Sequence, residues 1–258
     1  MRMMIEIGFL TRRRGKHSAR PMGKASLKLA TQIMKRHALA LTAALLLAGP
    51  PALARPVLVE LFTSQSCSSC PPANALLGKL KAQDQDILPL SFDVTYWNNL
   101  GWNDTDSLSA ATDRQDWYAS LRHGTEVYTP EAVVDGRAQF VGSHADEMRA
   151  AIAAAKADPA GDVPIGIAGQ DKLAITIGGG AGSGSVLLVG YDDKHSTGVK
   201  SGENGGATIT EVNVVRAMMP LGNWNGAALA VQAPRPAGQH VAVILQAANG
   251  DILGLTAR

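Results

Sequence analysis

The chain has 258 residues, 46% of them hydrophobic and 18% charged, the composition of a globular protein with room for one large or two ordinary domains. Its formal charge of +2 averages two unlike parts: residues 1–54 carry ten Lys and Arg against the single acid Glu6, so residues 55–258 carry a net −7. A part that acidic is excluded as a nucleic-acid binder, two cysteines exclude a disulfide scaffold, and no run of eighteen apolar residues offers a membrane span.

Lys35-Arg36-His37 precedes eleven mainly apolar residues, Ala38 to Ala48, and then Gly49-Pro50-Pro51-Ala52-Leu53-Ala54. A basic start, an apolar middle and a small-residue ending make a secretory signal, with cleavage expected near Ala54. The alternative, a buried helix, has no amphipathic stripe and would be broken by Gly-Pro-Pro. Residues 34–54 are therefore read as the signal peptide and 1–33 as an upstream extension, disordered or not translated; Met1, Met22 and Met34 all remain open as starts. Export places Cys67 and Cys70 where a disulfide persists and leaves no stable membrane span after cleavage.

Val57–Phe62 is short, apolar and partly β-branched, which predicts a buried strand. Pro71 and Pro72 suit the first turn of a helix, and Ala73, Leu76, Leu77 and Leu80 continue it with helical spacing to about Ala82. A second strand is predicted over Ile87–Val94, then the aromatic loop Tyr96–Trp102, then a helix over 107–122 with His123 at its C-terminal end. Asp135-Gly136 between two apolar runs signals a hairpin, and Ser143 with Asp146 opens a helix that stops before Pro159. From Gly161 the texture changes to six or seven short strands separated by Gly- and Pro-rich spacers, which predicts an all-β, sandwich-like unit. The expected organisation is thus an α/β domain at 55–160, a central mixed sheet with flanking helices, followed by a β-rich domain at 161–258.

The chemistry lies in Cys67-Ser-Ser-Cys70, placed directly after a buried strand at the opening of a helix. A helix N-terminus carries partial positive charge and free N–H groups, which stabilise a thiolate and prepare Cys67 to attack a disulfide. Cys70, about one turn further in, can then resolve the mixed disulfide. Thr129-Pro130, before the hairpin, lies where a cis-proline would face this pair. Redox catalysis, a structural bridge and metal binding all remain open for the cysteines, but His123, His144, His195 and His240 are isolated and match no metal spacing.

These residues and their order resemble the thioredoxin fold. More narrowly, Val59–Pro72, Tyr96–Trp102 and Val127–Pro130 with Val133–Gly136 resemble the DUF1223 family of secreted, thioredoxin-like bacterial proteins. The resemblance implies redox positions for Cys67 and Cys70, the cis-proline position for Pro130, and a bacterial periplasmic or secreted location. It departs from thioredoxins proper in the dipeptide Ser68-Ser69. Thioredoxins hold a buried carboxylate on the strand before the motif, and Glu60 occupies roughly that place; it either relays a proton to Cys70 or points outward.

Tyr96, Trp97, Trp102 and, beside Thr129, Tyr128 are candidate substrate contacts, the loop rings forming a lip over the site or else covering the core edge. Asp93, Asp104 and Asp106 match no calcium loop and read as turn and cap residues, and Asp192, Asp193 and Glu203 read as solvated. No hydrolase, kinase or dinucleotide fingerprint occurs. The expected activity is thiol–disulfide exchange with protein or small-thiol substrates and an unknown redox partner, without a bound cofactor. The alternatives are a non-enzymatic envelope binding module with a structural disulfide, and a copper-binding chaperone.

Overall fold

Val57–Thr63 forms strand β1, and all seven of its residues are buried, so it needs a covering layer on each face. The covers are three helices. On one face Val57, Val59 and Leu61 pack with α1 (Pro71–Gln83) and α3 (Ala145–Ala157), through Leu76, Leu77, Met148 and Ile152. On the other, Leu58 and Phe62 pack with Ala111 and Tyr118 of α2 (Ser109–Leu121). The structure, a computed structural model, describes residues 55–258 apart from 123 and 125. The expected signal segment and the expected helix-end role of His123 fall outside the described residues.

Beside β1 lie β2 (Ile87–Asp93), parallel to it, and β3 (Glu131–Val134), antiparallel. The predicted hairpin joins β3 to β4 (Ala138–Val141). Its turn has Asp135 at φ 52° and Gly136 at φ 72°, the left-handed pair that an Asp-Gly turn supplies. Gly136 is also required by space, because a Cβ there would lie 1.8 Å from the Gly250 carbonyl oxygen.

The strands after residue 160, expected as a unit of their own, continue this sheet. They are β5 (Ile165–Ala168), β6 (Lys172–Ile177), β7 (Gly184–Gly198), β8 (Thr208–Trp224), β9 (Leu229–Pro234), β10 (His240–Gln246) and β11 (Ile252–Ala257). One eight-stranded mixed sheet runs β11-β10-β7-β8-β2-β1-β3-β4, and the described residues from 55 onward form one compact unit. Its join between β2 and β8 is a single parallel ladder pair, Ser91 with Val214. The small antiparallel sheet β5-β6-β9 stacks on the β7 and β10 side, where Leu173, Ile175 and Ile177 meet Leu188, Trp224, Val241 and Val243. A sandwich therefore exists, but one of its layers is the far half of the α/β sheet. β7 and β8, at 15 and 17 residues, run well past their predicted ends, and β11 has no predicted counterpart.

Arg55 pins these parts together. Both its terminal nitrogens donate to Asp135 at 2.7 Å, and it also donates to the carbonyls of Gly161 and Ile252. Both side chains are buried, so removing one partner strands a charge. Asp135→Ala is expected to lower stability by about 3–5 kcal/mol in urea unfolding. A loss below about 1 kcal/mol, the worth of an exposed pair, would contradict this role.

Candidate active site

β1 ends at Thr63, and the chain turns through Ser64–Ser69 into α1. Cys67 N–H donates to Ser64 O at 3.1 Å, and Cys70 N–H donates to Cys67 O at 3.2 Å. Cys70 is the N-cap of α1, and its carbonyl accepts the N–H groups of Ala73 and Asn74. Pro71 and Pro72 occupy the positions whose missing N–H groups a helix does not use. No acid stands in this first turn, so the helix dipole there is uncompensated from within. Cys67 and Cys70 are joined in a disulfide, with Cα atoms 5.4 Å apart. Both are fully buried, whereas Ser68 and Ser69 between them are exposed.

The predicted partner segment is beside them. Ser69 Oγ lies 3.3 Å from Cys67 Sγ and donates to Thr129 O at 3.4 Å. The Thr129–Pro130 peptide is cis, and Pro130 O accepts Gly142 N–H. Trp97 Nε1 donates to Thr129 Oγ1 at 2.7 Å, and Gln115 Nε2 donates to Tyr128 O. Trp102 flanks the cysteine loop from the other side: its Nε1 donates to Gln65 Oε1, and its carbonyl accepts Ser66 Oγ–H. Tyr96 donates to Gln115 Oε1, and its burial pushes the phenol up to about 12. All four rings are half-buried, and Trp97, Trp102 and Tyr96 are hydrogen-bonded to the frame. In this loop the exposed apolar side chain is Leu100.

Glu60 requires a correction. It is buried, but Arg114 Nη2 and Nε and Tyr118 Oη all donate to its carboxylate. Adjacent strand residues face opposite ways, and Glu60 points with Leu58 and Phe62 to α2 rather than to α1. Cys70 belongs to α1, so Glu60 is not placed to exchange a proton with it.

The buried carboxyls on the α1 face are Asp93 and Glu211 instead. Asn74, one turn past Cys70, donates to Glu211 Oε1 at 3.2 Å, while its own carbonyl accepts Thr63 Oγ–H. Asp93 stands at the end of β2 opposite Thr63, and neither of its oxygens has a partner as an ionised carboxylate. As an acid it has an O–H to give. Burial first, then the charges of Glu211, Asp104 and Asp106, raises Asp93 well above the carboxylate range, which favours its protonated form beside Glu211 and Asp104. Glu211 itself is pushed up to about 8, chiefly by burial. Asp104 and Asp106, expected as turn and cap residues, are buried too. Asp104 accepts the N–H of Gln65 at 2.7 Å; Asp106 binds Arg216 and His195. Glu131, directly after Pro130, is a further buried acid raised to about 7 by burial, with Gln115 donating to one oxygen and none to the other.

Two residues over 130 positions away complete the site. Asn204 Nδ2 donates to the carbonyls of Gln65 and Cys67, both at 2.9 Å, and Glu203 Oε2 accepts Ser68 N–H at 3.2 Å. Glu203, read from sequence as solvated, is exposed but engaged. Nothing local in Ser201–Gly206 signals this return.

A mixed α/β protein with a cysteine pair at a helix N-terminus is thus the class defined here. Residues 58–246 match the model of DUF1223, a protein family of unknown function, and the chain belongs to that family. The crystal structure of protein AGR_C_4864 from Agrobacterium tumefaciens is 31% identical over 80% of this chain and 95% of its own, with a TM-score of 0.68. HBP35 of Porphyromonas gingivalis shares the fold alone, at 12% identity over 81% of this chain and 76% of its own, TM-score 0.54. No curated protein matches the chain.

The acid pair sets a pH dependence. Raised folded pKa values mean that the folded state binds more protons than the unfolded one between the ordinary carboxylate range and about 8, so stability falls as pH rises through that window. Glu131 adds to it with the same sign. Glu211→Gln is expected to remove on the order of 2 kcal/mol of the loss between pH 5 and pH 8, measured by denaturant unfolding at both. An equal loss in the variant would show that Glu211 does not carry it.

Proposed function

We propose that the chain is a thioredoxin-like thiol–disulfide oxidoreductase of the bacterial envelope, acting on protein or small-thiol substrates through Cys67 and Cys70. What carries this reading is one arrangement: a cysteine pair at the N-terminus of α1, whose first turn holds no acid of its own, bridged by Ser69 to the Thr129 carbonyl of the Thr129–Pro130 segment. A four-residue ring gives little entropic stabilisation, which leaves a staple with little purpose. Export, read from residues 34–54, fits a disulfide that survives.

The pair is oxidised, so exchange begins with a substrate thiolate attacking Cys67 Sγ. The Cys67–Cys70 bond breaks, its electron pair leaves on Cys70 sulfur, and that thiolate takes up a proton. A second substrate thiolate attacks the substrate sulfur of the mixed disulfide and releases Cys67. Two electrons have then moved from a substrate dithiol to the cysteine pair, and a small-molecule disulfide takes them back. The protonated Asp93–Glu211 pair, on the same sheet face as α1, is the buried proton store on the cysteines' side. Thr129 and Pro130 line the substrate segment, with Trp97 and Tyr128 behind them and Trp102 and Tyr96 shaping the loop.

One observation favours a second reading. Cys67 is fully buried, as an inert bridge in a binding module would be. The two separate cleanly in single-cysteine variants challenged with glutathione disulfide. In Cys70→Ser the free Cys67 is expected to form the mixed disulfide at least about tenfold faster than the free Cys70 of Cys67→Ser, followed by mass spectrometry. Equal and slow labelling of the two would support the inert bridge.

A further inference from the structure

The tip of the β7–β8 hairpin, residues 199–207, reaches the cysteine loop only because both strands extend to the pair Gly198–Thr208. It closes on itself, with Val199 and Ala207 paired and Gly206 N–H returning to Val199 O. Its outer end then makes four contacts in one direction. Ser201 Oγ donates to Gly101 O; Asn204 donates to Gln65 O and Cys67 O; Glu203 accepts Ser68 N–H. Ser68 is inside the disulfide ring and directly follows Cys67.

A helix N-terminus favours a thiolate because its field is positive. A carboxylate seated on the same loop opposes that field. Hydrogen bonds from Ser68, side chain before backbone, hold the Glu203 carboxyl below its usual range, so it carries its charge at neutral pH. The other charged groups near the loop are paired or turned away: Arg216 and His195 are held by Asp106, and Glu211, beside Asp93, is held by Asn74 under α1. α1 brings no acid in its first turn, and Asp104 of the 95–108 loop accepts Gln65 N–H and is itself raised by burial, which weakens its charge. Glu131 turns to the α2 face with Gln115, and Lys200 of the tip points back towards Gly198.

Resting on the redox reading above, we infer that Glu203 is a positioning residue that restrains Cys67. Seated by Asn204 over the disulfide ring, it disfavours the Cys67 thiolate and so keeps the pair oxidised. The restraint is electrostatic and is set from the far end of the chain. It makes the pair a weaker electron acceptor than the helix N-terminus alone would.

The test uses the purified protein, Glu203→Gln and Asn204→Ala. Two readouts are the pH profile of Cys67 alkylation after reduction and the redox equilibrium with glutathione. In Glu203→Gln the profile is expected to move to lower pH, and the dithiol fraction at fixed glutathione poise to rise by a factor of about three to ten, as for one exposed charge. The difference should shrink when ionic strength goes from about 0.01 to 1 M, since the Debye length falls from about 30 to 3 Å. Asn204→Ala should shift both readouts the same way, because it unseats Glu203. A reactive wild type with unshifted Glu203→Gln overturns the inference alone, as does a shift indifferent to salt. Cys67 inert in all three proteins overturns the redox reading itself.

Discussion

A strand buried on both faces still has two edges to satisfy, and the site depends on how β2 satisfies its outer one. β1 takes one edge in a seven-pair parallel ladder. The other meets β8 at a single ladder pair, and Pro89 has no N–H to contribute. Side chains complete the junction: Asn213 Nδ2 donates to Pro89 O at 2.7 Å, and Ser91 Oγ donates to Val212 O at 2.9 Å. Asn213 adopts φ 47°, a left-handed conformation that Asn tolerates better than most residues. Through this junction the C-terminal strands enter the α/β sheet instead of folding beside it.

Three features of the site follow from that placement. β8 brings Glu211 under α1, where it accepts from Asn74 and its charge helps raise Asp93. Antiparallel pairing with β7 then carries the hairpin tip past the sheet to the cysteine loop. Finally, β8 supplies Arg216, which holds the buried carboxylate of Asp106, itself hydrogen-bonded by Gln65 of the same loop. The cysteine ring is therefore enclosed by one short local segment and several distant ones. Ser69 and Thr129 connect it to the α/β half, while Asn204 and Glu203 connect it to the strands beyond residue 160.

The N-terminal half was legible because its signals are local. Helical spacing in Ala73–Leu80, paired prolines at a helix start, and Asp-Gly between apolar runs each report on a few neighbouring residues, and each element is found within two or three residues of its predicted place. The cysteine pair and Thr129-Pro130 were legible for the same reason. What the sequence could not carry is which face meets which cover. Glu60 alternates correctly with Val59 and Leu61, but nothing nearby says that α1 and α2 cover opposite faces, so neither a relay to Cys70 nor an outward side chain anticipates its pairing with Arg114. Asp93 resembled a strand-end cap until a second acid, 118 positions on, was seen to share its burial. Gly-rich Ser201–Gly206 reads as a solvated spacer because its four anchoring contacts are all long-range. The expected domain boundary failed on the same ground: composition changes at Gly161, yet hydrogen bonding does not.

The central claim is that this enclosed pair exchanges electrons with thiols. The most direct measurement is the equilibrium of the purified protein against a series of glutathione ratios, quenched by alkylation and read as the dithiol fraction. A redox-active pair places its potential above about −250 mV, within reach of the glutathione couple. A potential below about −300 mV, with the pair oxidised at every ratio, would contradict the account and leave Cys67–Cys70 as a staple of the fold.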